Sequence, residues 1–186
     1  MKTNLKLSIF LIFTLFLFSI QIFSNAQVKN WVPWKTITIG KYKNTEKIKE
    51  AIILNGYKIS PWANEIIENP AFLLSKKKEE IDLVAVSVSD LGLKFGATYE
   101  QVLDTAFKQG LTFCPIEVGP VLCAEYKNQT RGEWLKIATE PVVISDGALS
   151  IFMINNSYDG LAFRRYFANP KGFCSIDCKF LFMIKK

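Results

Sequence analysis

The beginning of this chain constrains it most. Leu7 to Phe23 is an apolar run of 17 residues, preceded by Lys2 and Lys6 and followed by Ser24-Asn25-Ala26. A basic start, an apolar middle and small residues at the −3 and −1 positions form the pattern of a cleaved secretory signal. We read residues 1–26 as that signal. The run sits at the short edge of the ~17–25 residues needed to span a bilayer. No basic stop-transfer cluster and no Cys follows it directly, so a retained anchor and a lipoprotein-type anchor are both disfavoured. Residues 27–186 then fold after export as one α+β domain, with no transmembrane segment once the signal is removed. The expected location is periplasmic or secreted.

Composition narrows the chemistry. The chain of 186 residues has no His. That excludes a Ser-His-Asp triad, a Cys-His nucleophile pair, an HExxH zinc site and a CxxCH haem attachment. Loss of the signal lowers the formal charge from +6 to +4, too modest to imply a nucleic-acid partner. Lys76-Lys77-Lys78 is followed at once by Glu79-Glu80 and reads as a solvated loop.

All four cysteines, Cys114, Cys123, Cys174 and Cys178, lie beyond the signal. An even count in an exported chain suggests disulfides. Three connectivities are open, and local pairing of Cys114 with Cys123 and of Cys174 with Cys178 is favoured. Zinc ranks second, because the Cys114–Cys123 spacing is wrong for a ligand pair and no His assists. No metal and no cofactor are expected.

Periodicity then gives the elements. Thr36 to Ile39 is a β-branched strand. Asn44 caps a helix over Thr45–Leu54, and Asn55-Gly56 stops it. Ser60-Pro61 opens a second helix that ends at Asn69-Pro70, with Trp62, Ala63, Ile66 and Ile67 on one face. Ile81–Val88 is a central strand. Thr98-Tyr99-Glu100-Gln101 is a capping box that starts a third helix ending at Gly110. From Glu133 onward the period becomes two. Trp134–Ala138, Val142–Ile144, Ala148–Ile154, Leu161–Phe167 and Cys178–Ile184 are strands, with a type I′ turn expected at Asp146-Gly147. The expected fold is α+β: N-terminal helices packed on a mainly antiparallel sheet with a C-terminal β-meander. Trp62 and Trp134 are expected in the core, whereas Trp31 and Trp34 could be exposed or folded back.

Gly110 to Leu149 resembles a set of small uncharacterised bacterial proteins. The likeness rests on Cys114-Pro115-x-Glu117-Val118-Gly119-Pro120, then Tyr126, Gln129, Gly132-Glu133-Trp134-Leu135, Ile137-Ala138, Glu140-Pro141 and Asp146-Gly147. It extends to the helix at Thr98 and to Trp62-Ala63. It implies no activity, cofactor or site.

Cys114–Pro141 is the most unusual stretch in composition, with four Glu, three Pro and two Gly. Paired carboxylates perform acid/base work in glycoside hydrolysis. Glu117 and Glu133 are the candidates, since both sit where loops meet strands. Tyr126, Gln129 and Arg131 are candidate ligand-binding residues. The leading expectation is an exported, non-catalytic domain that binds a protein or envelope component. The alternative is a small envelope hydrolase using Glu117 and Glu133. A structural protein of the cell surface would differ by self-associating.

Overall fold

The computed structural model describes residues 29–185. The segment read as an export signal lies outside the described residues. The fold is α+β: four helices, a nine-stranded mixed sheet curled into a half-barrel, and a small two-stranded ribbon.

The N-terminal half follows its local signals. Strand β1 is Lys35–Ile39. Helix α1, Thr45–Leu54, begins where the Asn44 side chain accepts the Lys47 N–H. Strand β2, Lys58–Ile59, leads to helix α2, Pro61–Glu68, with Ser60 as cap and Pro at N1. Strand β3 is Glu79–Ser87. Strand β4, Ala97–Thr98, runs into helix α3, Tyr99–Lys108, where both bonds of the capping box form: Gln101 N–H to the Thr98 hydroxyl and Thr98 N–H to the Gln101 side chain.

After β5, Leu111–Thr112, comes helix α4, Val118–Glu125, where a loop was expected. Pro120 falls in its first turn, the one place in a helix where a missing N–H costs little. Gly119 lets the helix approach β8 closely: a Cβ there would stand 2.9–3.1 Å from Phe152 side-chain atoms. The remaining strands are β6 (Trp134–Ile137), β7 (Val142–Val143), β8 (Leu149–Ser157), β9 (Gly160–Phe167), β10 (Phe173–Cys174) and β11 (Lys179–Ile184).

The main sheet runs β1-β3-β11-β6-β8-β9-β2, with β5 also on β11 and β7 also on β8. Only β11/β6 and β2/β9 are parallel. The expected C-terminal meander is therefore corrected. Strands β6, β8 and β9 pair antiparallel in sequence, but β11 inserts between β3 and β6 at the centre. Its residues are apolar on both faces, Leu181 on one and Phe180 and Phe182 on the other, as a strand covered from both sides requires. The turn at Asp146-Gly147 is corrected too. Gly147 alone has positive φ, at 76°, and its N–H donates to the Ile144 carbonyl. The five residues between Val143 and Leu149 thus form a longer hairpin loop than a type I′ turn.

The two faces of the sheet are covered unequally. On one face Ile37, Leu83, Leu135, Phe152 and Phe163 pack against α1, α2 and α4. On the other, Val84, Val86, Phe180 and Phe182 pack against Tyr99, Val102 and Ala106 of α3. A ten-residue helix is ~15 Å long. It covers the β3–β11 part of that face, and the part over β6, β8 and β9 is left with a cleft.

Candidate functional site

The structure first disperses the expected carboxylate pair. Glu117 precedes α4 and is 0% exposed. One oxygen accepts the Gly40 N–H at 2.9 Å and the other accepts the Ser75 N–H at 2.7 Å. It fastens two loops to the start of α4. Gly40 and Ser75 line an open cavity of about 590 Å³, but Glu117 does not. A carboxylate with no exposed surface cannot touch a substrate.

Glu133 belongs to the other end of α4. Its carboxylate accepts the Tyr126 hydroxyl at 3.1 Å. Burial and then the Glu133 charge push Tyr126 up to about 12. The Tyr57 hydroxyl lies 2.9 Å from the Tyr126 carbonyl and 3.1 Å from Gln129 Oε1. Gln129, buried, donates to the Glu133 carbonyl at 3.3 Å and accepts from Asn156 on its own carbonyl at 2.7 Å. Tyr126 and Gln129 thus pin the loop that joins α4 to β6, and Arg131 is exposed in the turn that follows. Eight helical residues span ~12 Å, so the contacts of Glu117 and Glu133 are made a helix apart. None of Glu117, Glu133, Tyr126, Gln129 and Arg131 lines the cavity at Gly40 and Ser75.

The four cysteines are unpaired, which corrects the expected bridges. Cys114 faces the strand beside it and donates its thiol to the Leu181 carbonyl at 3.5 Å. Cys123 is buried on α4. Burial pushes both thiols up, so they behave as small apolar side chains. Cys174, 0% exposed, lies 3.7 Å from the Tyr166 hydroxyl. Cys178 is half-buried, with the Ser175 hydroxyl 3.5 Å from its sulfur.

Cys178 opens onto the cleft. This space of about 410 Å³ is lined by Trp134, Lys136, Met153, Tyr166, Ser175, Asp177, Cys178 and Lys179. The sheet builds it by register. Trp134 and Lys136 are alternate residues of β6 and share a face. Lys136 pairs with Met153 on β8 and with Phe180 on β11. Ile151, next on that face of β8, pairs with Tyr166 of β9.

Lys136 is only 7% exposed. Its ammonium stands 4.8 Å from the Tyr166 ring centre and 5.1 Å from that of Phe180. No carboxylate pairs with it among the described residues. Burial pushes the Cys178 thiol up, but the Ser175 hydrogen bond and the Lys136 charge outweigh it, and the net shift is down. Cys174 moves the other way, chiefly through burial. Two thiols driven apart by their surroundings beside a cleft mark a candidate functional site. By contrast, no group of three or more metal-ligating side chains gathers among the described residues. No described helix is long and apolar enough to cross a membrane.

Sequence reasoning missed this cleft, though its signal was present. Lys136 interrupts the apolar strand residues Leu135 and Ile137, and period two places it with Trp134. Trp62 and Trp134 were expected in the core. They are 41% and 45% exposed. Trp134 walls the cleft, and Trp62 lies under the Arg165 guanidinium at 4.1 Å. No family model, curated protein or solved structure matches the chain.

Proposed function

We propose that this protein is an exported, non-catalytic binding domain of the bacterial cell envelope, with the cleft over β6, β8 and β9 as its ligand face. The observation that carries the reading is Lys136, a nearly buried cation with aromatic neighbours and no carboxylate partner among the described residues. Desolvating an ammonium costs several kcal/mol unless an anion offsets it. A bound anion supplies that offset, and Trp134, Met153 and Tyr166 supply an apolar wall beside it. The ligand class is an envelope component with an acidic group on an apolar or aromatic body.

The sealed position of Glu117 supports binding over hydrolysis. Export rests on the sequence pattern of residues 1–26.

The test uses 8-anilinonaphthalene-1-sulfonate, an aromatic anion, as probe. Titration of the folded protein is expected to give one saturable site. Lys136→Met and Trp134→Ala should each weaken it about tenfold or more, the scale of one lost charged or aromatic anchor. Unchanged binding in both variants would overturn the assignment of the cleft. Turnover of any glycan abolished by Glu117→Gln in a folded protein would overturn the non-catalytic reading.

A further inference from the structure

We propose that Cys178 is a covalent capture site, at which a small disulfide bearing a carboxylate is exchanged onto the protein and held in the cleft as a mixed disulfide. The inference rests on the reading of the cleft as a ligand face and assigns one of its ligands.

Four observations lead there. Cys178 is half-buried against the core and also lines the cleft, the one cysteine to do so. The Lys136 ammonium acts on that sulfur and has no carboxylate of its own among the described residues. Ser175 places a hydroxyl 3.5 Å from it. The cleft, at about 410 Å³, falls within the ~300–1,000 Å³ typical of small-molecule sites.

The step balances without a further reagent. The Cys178 proton passes to solvent, and the thiolate attacks one sulfur of R–S–S–R. A Cys178–S–S–R bond forms and the reagent's S–S bond breaks. The departing RS⁻ takes up a proton as RSH. The small disulfide is the oxidant, and Cys178 is oxidised to the mixed disulfide. Exchange of this kind runs through the thiolate, so a neighbouring cation and hydroxyl favour it. The carboxylate of R is received by Lys136, with Lys179 at the cleft's edge. Capture rather than turnover follows from Cys174. Its thiol neighbours both the Tyr166 hydroxyl and the Cys178 sulfur, but it is fully buried and burial, first, holds its proton on. It is therefore a poor nucleophile for resolving the adduct.

The experiment treats the reduced, purified protein with glutathione disulfide, which carries carboxylates, and in parallel with hydroxyethyl disulfide, which carries none. Intact mass and peptide mapping read the product. We expect a single glutathionyl group on Cys178 and no adduct in Cys178→Ser. Lys136→Met should slow the glutathione disulfide reaction about tenfold or more and slow the neutral reagent less, as loss of a steering and binding charge does. An adduct on another cysteine overturns the proposal. So does a rate equal to that of a free cysteine peptide, an internal Cys174–Cys178 bridge as the product, or equal slowing of both reagents in Lys136→Met. Binding of 8-anilinonaphthalene-1-sulfonate separates the two readings. If wild type binds it and takes no adduct, capture fails and the ligand face stands.

Discussion

Two buried charges in this protein have opposite consequences. Glu117 is anionic, fully enclosed and satisfied, with one backbone N–H on each oxygen. Glu117→Gln keeps the shape but turns one acceptor into an NH₂ that meets an N–H head-on. Hydrogen bonds to a charged group contribute about 1.5–3 kcal/mol, and a stranded buried donor adds a cost. We expect a loss of about 2–4 kcal/mol in urea unfolding. A variant as stable as wild type would show that the clamp is not what holds the two loops. Lys136 is cationic, nearly enclosed and lacks a carboxylate among the described residues. Met fills a similar volume without a charge to desolvate. Lys136→Met should therefore leave stability unchanged or raise it by about 1–2 kcal/mol, while weakening the site. A residue that lowers stability where it sits and gains by meeting a ligand is what a binding surface selects. If Lys136→Met proves strongly destabilising, the ammonium has a structural role and the cleft loses its argument.

At the scale of elements, helix α4 gives the sharpest test. Gly119 lies in its first turn, and Gly→Ala inside a helix ordinarily stabilises by about 0.5–1 kcal/mol. Here the new Cβ would meet Phe152 at 2.9–3.1 Å, and Phe152 is itself buried and stacked on Phe163 at 4.6 Å between ring centres. Overpacking of a tight core costs about 1–3 kcal/mol, so the sign should reverse. A thermal midpoint raised by Gly119→Ala would mean that the α4–β8 contact has slack. The same helix shows what could be read in advance. Helices α1 and α3 were legible to the residue, because Asn44 and the Thr98–Gln101 box are local signals that the structure satisfies with local bonds. Helix α4 was not, because Gly119-Pro120 is loop punctuation in sequence and becomes helical only when packing on β8 favours it. Strand β11 was legible as a strand, yet not as the central one. Its neighbours β3 and β6 are set by pairing across more than forty residues on one side and almost a hundred on the other, information that no window contains. For the site, residue types were legible and convergence was not. Glu117 and Glu133 were noticed as carboxylates but are anchored apart, while Lys136 and Cys178, from β6 and from the turn before β11, meet only because those two strands pair in parallel.

The whole molecule sets how stability responds to pH, and the absence of His makes the response simple. On the acid side, Asp90 is held below the usual carboxylate range by the Ser87 hydroxyl and N–H, Asp146 by Arg165, Asp159 by the Ser157 hydroxyl and Glu68 by Asn64 and Lys49. A depressed carboxylate contributes stability that is fully present above its unfolded value, about 4, and is lost as pH falls through the lower folded value. On the alkaline side, burial pushes Cys114, Cys123, Tyr57, Tyr99 and Tyr166 up. The unfolded chain releases those protons from about pH 8.5 for thiols and about 10 for phenols, while the folded protein retains them. The unfolded state then binds fewer protons, and stability falls with rising pH. Between the two limbs no His is present to titrate. Cys178, the one described thiol shifted down, contributes in the opposite sense and only toward the upper end. Urea midpoints should form a plateau from about pH 5 to 8, drop below about pH 4 and decline again above about pH 8.5. Replacing both Cys114 and Cys123 with Ala should flatten the first part of the alkaline decline, whatever the two cavities cost in absolute stability. A slope through pH 6–7 would contradict the plateau, and an alkaline limb unchanged by the double replacement would place the two thiols outside the core.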